Sequence, residues 1–234
     1  MKSFLITGAS SGIGRELALR LASRGAALTL AGRSPERLAE VAAACAGAES
    51  VTTIPGDITA PGAAADLVDR ATAAMGGLDC VVHCAGIGLI KPAAETSDAE
   101  FTKVVNTNLR GTFLVAKEAC RVMAAQKKGL FLTFPGILGK AVMKNAAAYS
   151  ASKFGVTGLI KSLAQEHQRS GIRFGLFFLG GVDTPFWDGL GMNVQRDKMI
   201  PAATAADLAL QAIDAPPHLV LAEVVLQPES HQLV

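Results

Sequence analysis

Short apolar runs alternate with longer segments whose apolar residues recur at helical spacing along the whole chain. The short runs read as strands at Ser3–Ile6, Ala27–Leu30, Ser50–Ile54, Cys80–His83, Leu130–Phe134, Arg173–Phe178 and Val220–Val225. The longer segments read as helices at Gly12–Ser23, Pro35–Cys45, Pro61–Met75, Asp98–Ala125, Ala147–Arg169 and Ala205–Ala212. Strands that are apolar throughout, rather than alternating, belong in a sheet covered on both faces. Seven of them separated by helices predict one parallel sheet with right-handed crossovers, a doubly wound α/β fold. Local signals mark several boundaries: Ser34-Pro35-Glu36 places a capping residue before a proline at the first helical position, and Thr96-Ser97-Asp98 opens the longest helix. No proline- or serine-rich linker interrupts the pattern, so residues 1–234 are expected to form a single domain.

Composition narrows the choice of partner. Half the residues are hydrophobic but only 5% are aromatic, so the interior is built from Ala, Leu and Val rather than from large rings. The formal net charge is +2, and no basic run exceeds Lys127-Lys128, which argues against nucleic acid and anionic membrane. A small-molecule partner is the expectation. The apolar run from Phe174 to Val182 is about half of the ~20 residues a membrane helix needs. Cys45, Cys80, Cys84 and Cys120 form no CxxC pair and lie in apolar segments, as small buried hydrophobes in a reducing compartment do; a cytoplasmic protein is expected. His83 reads as buried and hydrogen-bonded. His167, His218 and His231 read as surface residues without partners at ligand spacing, so no metal is expected.

The first predicted strand runs into Thr7-Gly-Ala-Ser-Ser-Gly-Ile-Gly14 and then a helix. Glycines there let the backbone approach an anion, and the helix N-terminus supplies free N–H groups, the arrangement that binds a pyrophosphate. A merely tight turn would use the same residues, but this one opens the first βαβ unit, where a dinucleotide site belongs. The candidate contacts are Gly8, Ser10, Ser11, Gly12, Ile13 and Gly14. At the end of the second strand stands Gly32 instead of the acid that accepts ribose hydroxyls in NAD sites, and Arg33 follows it. A guanidinium suited to bidentate phosphate binding, with no carboxylate to repel the anion, favours NADP(H).

The spacing GxxxGxG resembles the short-chain dehydrogenase/reductase family, and later segments repeat the resemblance in that family's order. Asp57-Ile58-Thr59 looks like its adenine-contacting turn. His83-Cys84-Ala85-Gly86 stands where the family has Asn-Asn-Ala-Gly, and Gly180-Gly-Val-Asp-Thr-Pro185 resembles its nicotinamide-side loop, adding Cys84, Ala85, Gly86, Val182 and Thr184 to the expected cofactor contacts. The resemblance covers essentially the whole chain and implies a Rossmann-type fold. Tyr149-Ser-Ala-Ser-Lys153 matches the family's Tyr-x-x-x-Lys, and Asn108 its active-site Asn. It implies that Tyr149 exchanges a proton with a carbonyl or alcohol oxygen, that Lys153 lowers the phenol's pKa and holds the nicotinamide ribose, and that Asn108 anchors a water for proton resupply.

One family residue is missing. Thirteen positions before Tyr149, where the resemblance calls for a serine whose hydroxyl binds the substrate oxygen, stands Gly136. Thr133, Ser150 and Ser152 are the nearby hydroxyls, and none is well placed to substitute. Loss of one donor to a developing oxyanion costs about 10²–10³ in rate. The chain is therefore expected to be an NADP(H)-dependent oxidoreductase. The alternatives are an NADP(H)-binding regulatory or structural protein with weak or no turnover.

By resemblance, residues 185–204 form a substrate lid, and its Phe186, Trp187, Leu190, Met192, Met199 and Ile200 imply an apolar carbonyl or alcohol substrate. Leu89, Ile90, Phe134 and Ile137 would form the opposite wall. Apolar faces at Leu114, Ala116, Ala119 and Cys120, and at Val156, Leu159, Ile160 and Leu163, cover the sheet or form an interface; the resemblance implies a homodimer or homotetramer.

Overall fold

The computed structural model describes residues 1–233. Its strands are β1 (Ser3–Thr7), β2 (Ala27–Gly32), β3 (Ser50–Pro55), β4 (Cys80–His83), β5 (Gly129–Thr133), β6 (Ile172–Leu179), β7 (Val182–Asp183), β8 (Ile200–Pro201) and β9 (Glu223–Leu226). The helices are α1 (Gly12–Ala22), α2 (Pro35–Ala44), α3 (Ala63–Met75), α4 (Asp98–Val105), α5 (Gly111–Gln126), α6 (Ala147–Glu166) and α7 (Ala202–Asp214). Seven strands form one parallel sheet in the order β3-β2-β1-β4-β5-β6-β9, the Rossmann-type doubly wound arrangement expected from the pattern. The two-residue pair β7–β8 lies apart from that sheet and has no signal in the sequence.

Strand β1 shows why its three central residues are apolar. Phe4 and Ile6 pack on one face with Leu17 and Leu21 of α1, Leu38 of α2 and Leu210 of α7. Leu5 packs on the other with Leu67 of α3, Val115 of α5 and Ile160 of α6. Each such side chain contributes roughly 1.5–3 kcal/mol when fully buried. The helix faces whose role the sequence leaves open are mostly core: Ala116, Ala119, Cys120, Val156, Ile160 and Leu163 are buried against the sheet, with Leu114 and Leu159 packed partly buried beside them.

Several boundaries differ from the expected ones for local reasons. The helix expected from Pro61 begins at Ala63 because Gly62 takes a left-handed conformation, φ 76°. The helix expected to reach Arg169 stops at Glu166, and Arg169 itself has φ 67°. The single helix expected over Asp98–Ala125 is α4 and α5 joined through a π-helical turn at Asn106–Arg110. The last strand begins at Glu223, not Val220; Arg173 Nη1 donates to the carbonyls of Ala215, Pro216 and Leu219 in the segment before it, and the Ala222 carbonyl accepts from the Leu176 N–H of β6.

The strand order reverses between β1 and β4, where Thr7 is in register with His83. Crossovers leave these two strands toward opposite sides of the sheet, so their carboxyl ends open a crevice.

Candidate active site

A cavity of about 720 Å³ occupies that crevice. Every residue expected at the cofactor borders it: Gly8, Ser10, Ser11, Gly12, Ile13 and Gly14; Arg33; Asp57 and Ile58; Cys84, Ala85 and Gly86; Tyr149 and Lys153; and Val182 with Thr184. Asn108 does not. It is 1% exposed and lies behind the wall, its amide Nδ2 donating to the Ile87 carbonyl while its Oδ1 accepts from the Ile87 N–H at 2.8 Å.

The turn after β1 fits a pyrophosphate. Gly8 has φ 67°, and a Cβ there would lie 2.8 Å from the backbone of Cys84 and Ala85. A Cβ on Gly14 would lie 2.5 Å from the Gly8 carbonyl oxygen. The N-cap Ser11 makes no side-chain cap bond, and the first turn of α1 carries no acidic residue, so its amides keep their affinity for an anion. At the far end, Arg33 borders the cavity as expected, and so does Arg37, which the sequence reading missed. Its signal is available in retrospect: Ser34 caps α2 by accepting from the Arg37 N–H, which sets Arg37 in the first helical turn, directly after β2. Asp57 is turned to its own loop, accepting from the backbone N–H and hydroxyl of Thr59 at 2.8 and 2.7 Å. Those bonds, with the Arg33 charge, hold its carboxyl below the usual range.

Tyr149 and Lys153 lie one helical turn apart on α6, with the Lys153 Nζ 5.6 Å from the Tyr149 ring centre. Lys153 is buried and donates to the Phe134 carbonyl at 3.2 Å; burial pushes its ammonium down to about 8. Burial pushes the Tyr149 phenol up, the opposite of the lowering expected from Lys153, because the loss of solvent around the ring outweighs any effect of the ammonium in this structure. Asn108 and Lys153 converge on Gly86, where a Cβ would lie 3.2 Å from Asn108 Oδ1 and 3.4 Å from Lys153 Nζ.

The hydroxyls near the expected serine are all engaged or turned away. Thr133 donates to the His83 carbonyl, Ser152 donates to the Tyr149 carbonyl, and Ser150 is buried outside the cavity without a partner. Gly136 does border the cavity, with φ 71° and ψ 175°, a conformation essentially reserved for glycine. A side chain there would have room, its Cβ 3.5 Å from the Leu179 carbonyl oxygen, but the backbone resists it. Gly136→Ser is therefore expected to cost about 1–3 kcal/mol of stability and to leave turnover no higher, which thermal melts and rate measurements on the variant check.

Phe186, Trp187, Met192 and Met199 of the lid segment line the cavity, while Leu190 packs at Gly88 and Ile200 joins the core. Opposite, Ile90, Phe134 and Ile137 line it and Leu89 does not. The Tyr149 and Phe186 rings are 5.9 Å apart, and Trp187 Nε1 donates to the Val182 carbonyl at 2.8 Å. Arg196 closes the segment on itself, donating to Asp183 Oδ1 and the Thr184 carbonyl at 2.8 Å and pairing with Asp188. The histidines are placed unevenly. His83 is buried and hydrogen-bonded as expected, His167 is half-buried beside Phe174, His218 is exposed, and His231 borders the cavity mouth with Ser230 and Leu233. Among the described residues no cluster of metal-ligating side chains occurs, and no helix is long and apolar enough to cross a membrane.

This arrangement recurs in known proteins. The family model described as short chain dehydrogenase matches residues 2–194. An uncharacterised oxidoreductase of Staphylococcus aureus is 31% identical over 227 residues, 97% of each chain. The structure of an alcohol dehydrogenase from the archaeon Thermococcus sibiricus complexed with 5-hydroxy-NADP superposes with a TM-score of 0.91 at 25% identity, covering 99% of this chain and 98% of that one. Levodione reductase superposes with a TM-score of 0.88 at 29% identity, covering 98% and 97%. A metagenomic short-chain oxidoreductase in complex with NADP gives 0.84 at 27%, covering 97% and 96%. Sequence, topology and crevice agree: the chain belongs to the short-chain dehydrogenase/reductase family of oxidoreductases.

Proposed function

We propose that the chain is an NADP(H)-dependent reductase of carbonyl compounds, or dehydrogenase of the corresponding alcohols, with Tyr149 as its general acid and base. The observation that carries the reading is the placing of Tyr149 and Lys153 together on the wall of the cavity whose floor is the Gly8–Gly14 turn. A bound nicotinamide dinucleotide supplies or accepts the hydride. The turn and the N-terminus of α1 would hold the pyrophosphate, Asp57 and Ile58 the adenine, and Cys84, Ala85, Gly86, Val182 and Thr184 the remainder.

The Tyr149 phenol is protonated at neutral pH with or without the upward push of burial, so it is ready to donate to a carbonyl oxygen. In the oxidative direction the same oxygen must become a phenolate, and the Lys153 ammonium favours that form. Lys153 would also hold the ribose hydroxyls of a bound dinucleotide. Asn108, fixed to Ile87, supports this wall from behind and does not touch the substrate. The apolar set Phe186, Trp187, Met192, Met199, Ile90 and Ile137 suits an apolar ketone, aldehyde or secondary alcohol.

Arg33 and Arg37 support NADP(H), and the neighbours solved with NADP or its 5-hydroxy derivative agree with this choice. Charge-assisted hydrogen bonds contribute about 1.5–3 kcal/mol each, so Arg33→Ala and Arg37→Ala are each expected to weaken NADPH binding tenfold or more and leave NADH binding unchanged. Calorimetric titration checks this; equal losses for both dinucleotides would remove the 2′-phosphate assignment.

Gly136 favours a second reading, an NADP(H)-binding regulatory or structural protein with weak or no turnover. Following NADPH absorbance with a panel of ketones, aldehydes and quinones separates the two. We also propose a homodimer or homotetramer, resting on Phe101, Phe113 and Phe154, each more than 40% exposed on α4, α5 and α6.

A further inference from the structure

Five buried polar side chains connect the phosphate turn to the tyrosine helix through an otherwise apolar interior. Thr7, His83, Thr112, Asn108 and Ser152 are each 2% exposed or less. Thr7 ends β1, next to Gly8, and its Oγ1 lies 2.8 Å from His83 Nδ1. His83 ends β4, next to Cys84, and its Nε2 lies 3.1 Å from Thr112 Oγ1. The Thr112 hydroxyl donates to the Asn108 carbonyl at 2.5 Å, Asn108 Nδ2 donates to Ser152 Oγ at 3.0 Å, and Ser152 Oγ donates to the Tyr149 carbonyl at 2.7 Å.

The Thr112–Asn108 contact assigns the directions of the bonds to His83, since a carbonyl oxygen can only accept. Thr112 spends its one proton on Asn108, so toward His83 it accepts, and Nε2 carries the ring hydrogen. Nδ1 then accepts from the Thr7 hydroxyl. This assigns a neutral imidazole in one tautomer, and burial, which pushes the imidazolium down to about 3, keeps it neutral. An amide side chain in the middle of the series cannot relay a proton, so the series is a tether and not a wire. Its two ends are the turn proposed to hold the pyrophosphate and the peptide of the residue proposed to hold the reacting proton. Asn108 is the middle residue of the π-helical turn at Asn106–Arg110, so the tether also sets the one irregular turn in the long helix.

We propose that His83 is a positioning residue: it ties the β1 phosphate turn to the Asn108 turn, and through Ser152 it fixes Tyr149 relative to the dinucleotide. The proposal rests on the reading of Tyr149 as the proton donor. The interior does not need a polar group here for packing alone, since apolar side chains of similar size would fill the same space without orienting anything. A donor at one ring nitrogen and an acceptor at the other join two elements of different strands with one side chain.

The test uses His83→Leu and the near-isosteric Thr112→Val, with Ile213→Ala, a large-to-small change in the core under α7, as a destabilised reference remote from the site. Tyr149 is the single tyrosine, so incorporated fluorotyrosine gives one fluorine resonance that reports its surroundings without turnover. Thr112→Val and His83→Leu are expected to shift and broaden that resonance and to lower kcat about 10–100-fold, with KM changed less than threefold. The double variant should be no worse than His83→Leu alone, because both cut one series. Ile213→Ala should lower the melting temperature and leave both the resonance and kcat near those of the native chain. A resonance and kcat unchanged in Thr112→Val, or losses in Ile213→Ala as large as those in Thr112→Val, overturn the proposal. Tyr149→Phe in the same assay separates the two claims: retained turnover there removes the proton-donor reading, whereas lost turnover there with native behaviour in Thr112→Val removes the tether alone.

Discussion

Tyr149→Phe is expected to lower turnover about 10³-fold or more while leaving NADPH affinity within a factor of three, since positioned proton transfer contributes roughly 10²–10⁴ and no other hydroxyl is free at the reacting position. Among the described residues the phenol oxygen makes no hydrogen bond, Thr133 and Ser152 are committed elsewhere, and Ser150 lies outside the cavity. The same absence makes the substitution benign for folding: the ring keeps its contact with Phe186, and no buried partner is stranded. Steady-state rates, calorimetric affinity and a thermal melt on one preparation check all three parts. Loss of affinity alongside rate would show instead that Tyr149 serves only to hold the dinucleotide.

Gly14→Ala should produce the largest loss of binding. Its Cβ would lie 2.5 Å from the Gly8 carbonyl oxygen, a backbone atom of the same turn, so relief requires the turn itself to move. Forcing extra volume into a well-packed site costs about 1–3 kcal/mol of stability, and the displaced amides no longer converge on the anion, so NADPH affinity is expected to fall on the order of 100-fold. Gly158→Ala provides the contrast. It lies inside α6 with nothing within 4 Å of the added atom, so it should stabilise the fold by about 0.5–1 kcal/mol and leave binding alone. Melting temperatures and NADPH titrations of the two variants should move in opposite directions and by different amounts respectively.

The sheet was legible because its signal is redundant: the central strands carry apolar residues on both faces, and the strands are separated by helical periods. The exceptions are places where contacts between distant segments enter. Val220 to Ala222 reads as strand, but in-register pairing with β6 starts only at Glu223, after a segment whose Ala215 and Leu219 carbonyls accept from the Arg173 guanidinium. The π-helical turn at Asn106–Arg110 has no residue that breaks a helix; Asn108 within it bonds to Ile87 and Ser152, contacts beyond the reach of periodicity.

The same distinction holds in the site. Glycines, the Tyr–Lys pair and Arg33 sit at fixed offsets from strand ends, and the fold carries them to one cavity. Arg37 escaped notice because a basic residue in a helix is ordinarily solvated; only the Ser34 cap orients that helix so that its first turn faces the crevice. Gly136 was visible as a substitution, but its meaning was not. Its left-handed φ shows that the whole corner after β5 is built for glycine, so the serine is not simply a side chain awaiting restoration. His83, two positions from the expected motif's alanine, proved to be part of a buried series that only the three-dimensional register of β1 against β4 assembles.

The hydride assignment itself has a direct test. NADPH carrying deuterium at the transferable position of the nicotinamide, incubated with the native chain and a panel of apolar ketones and aldehydes, is expected to yield an alcohol bearing one deuterium on the former carbonyl carbon, read by mass spectrometry, and Tyr149→Phe should yield none in the same time. NADPH that binds tightly yet leaves every carbonyl undeuterated, with no consumption of the cofactor, contradicts the reductase reading and leaves the chain a dinucleotide-binding protein.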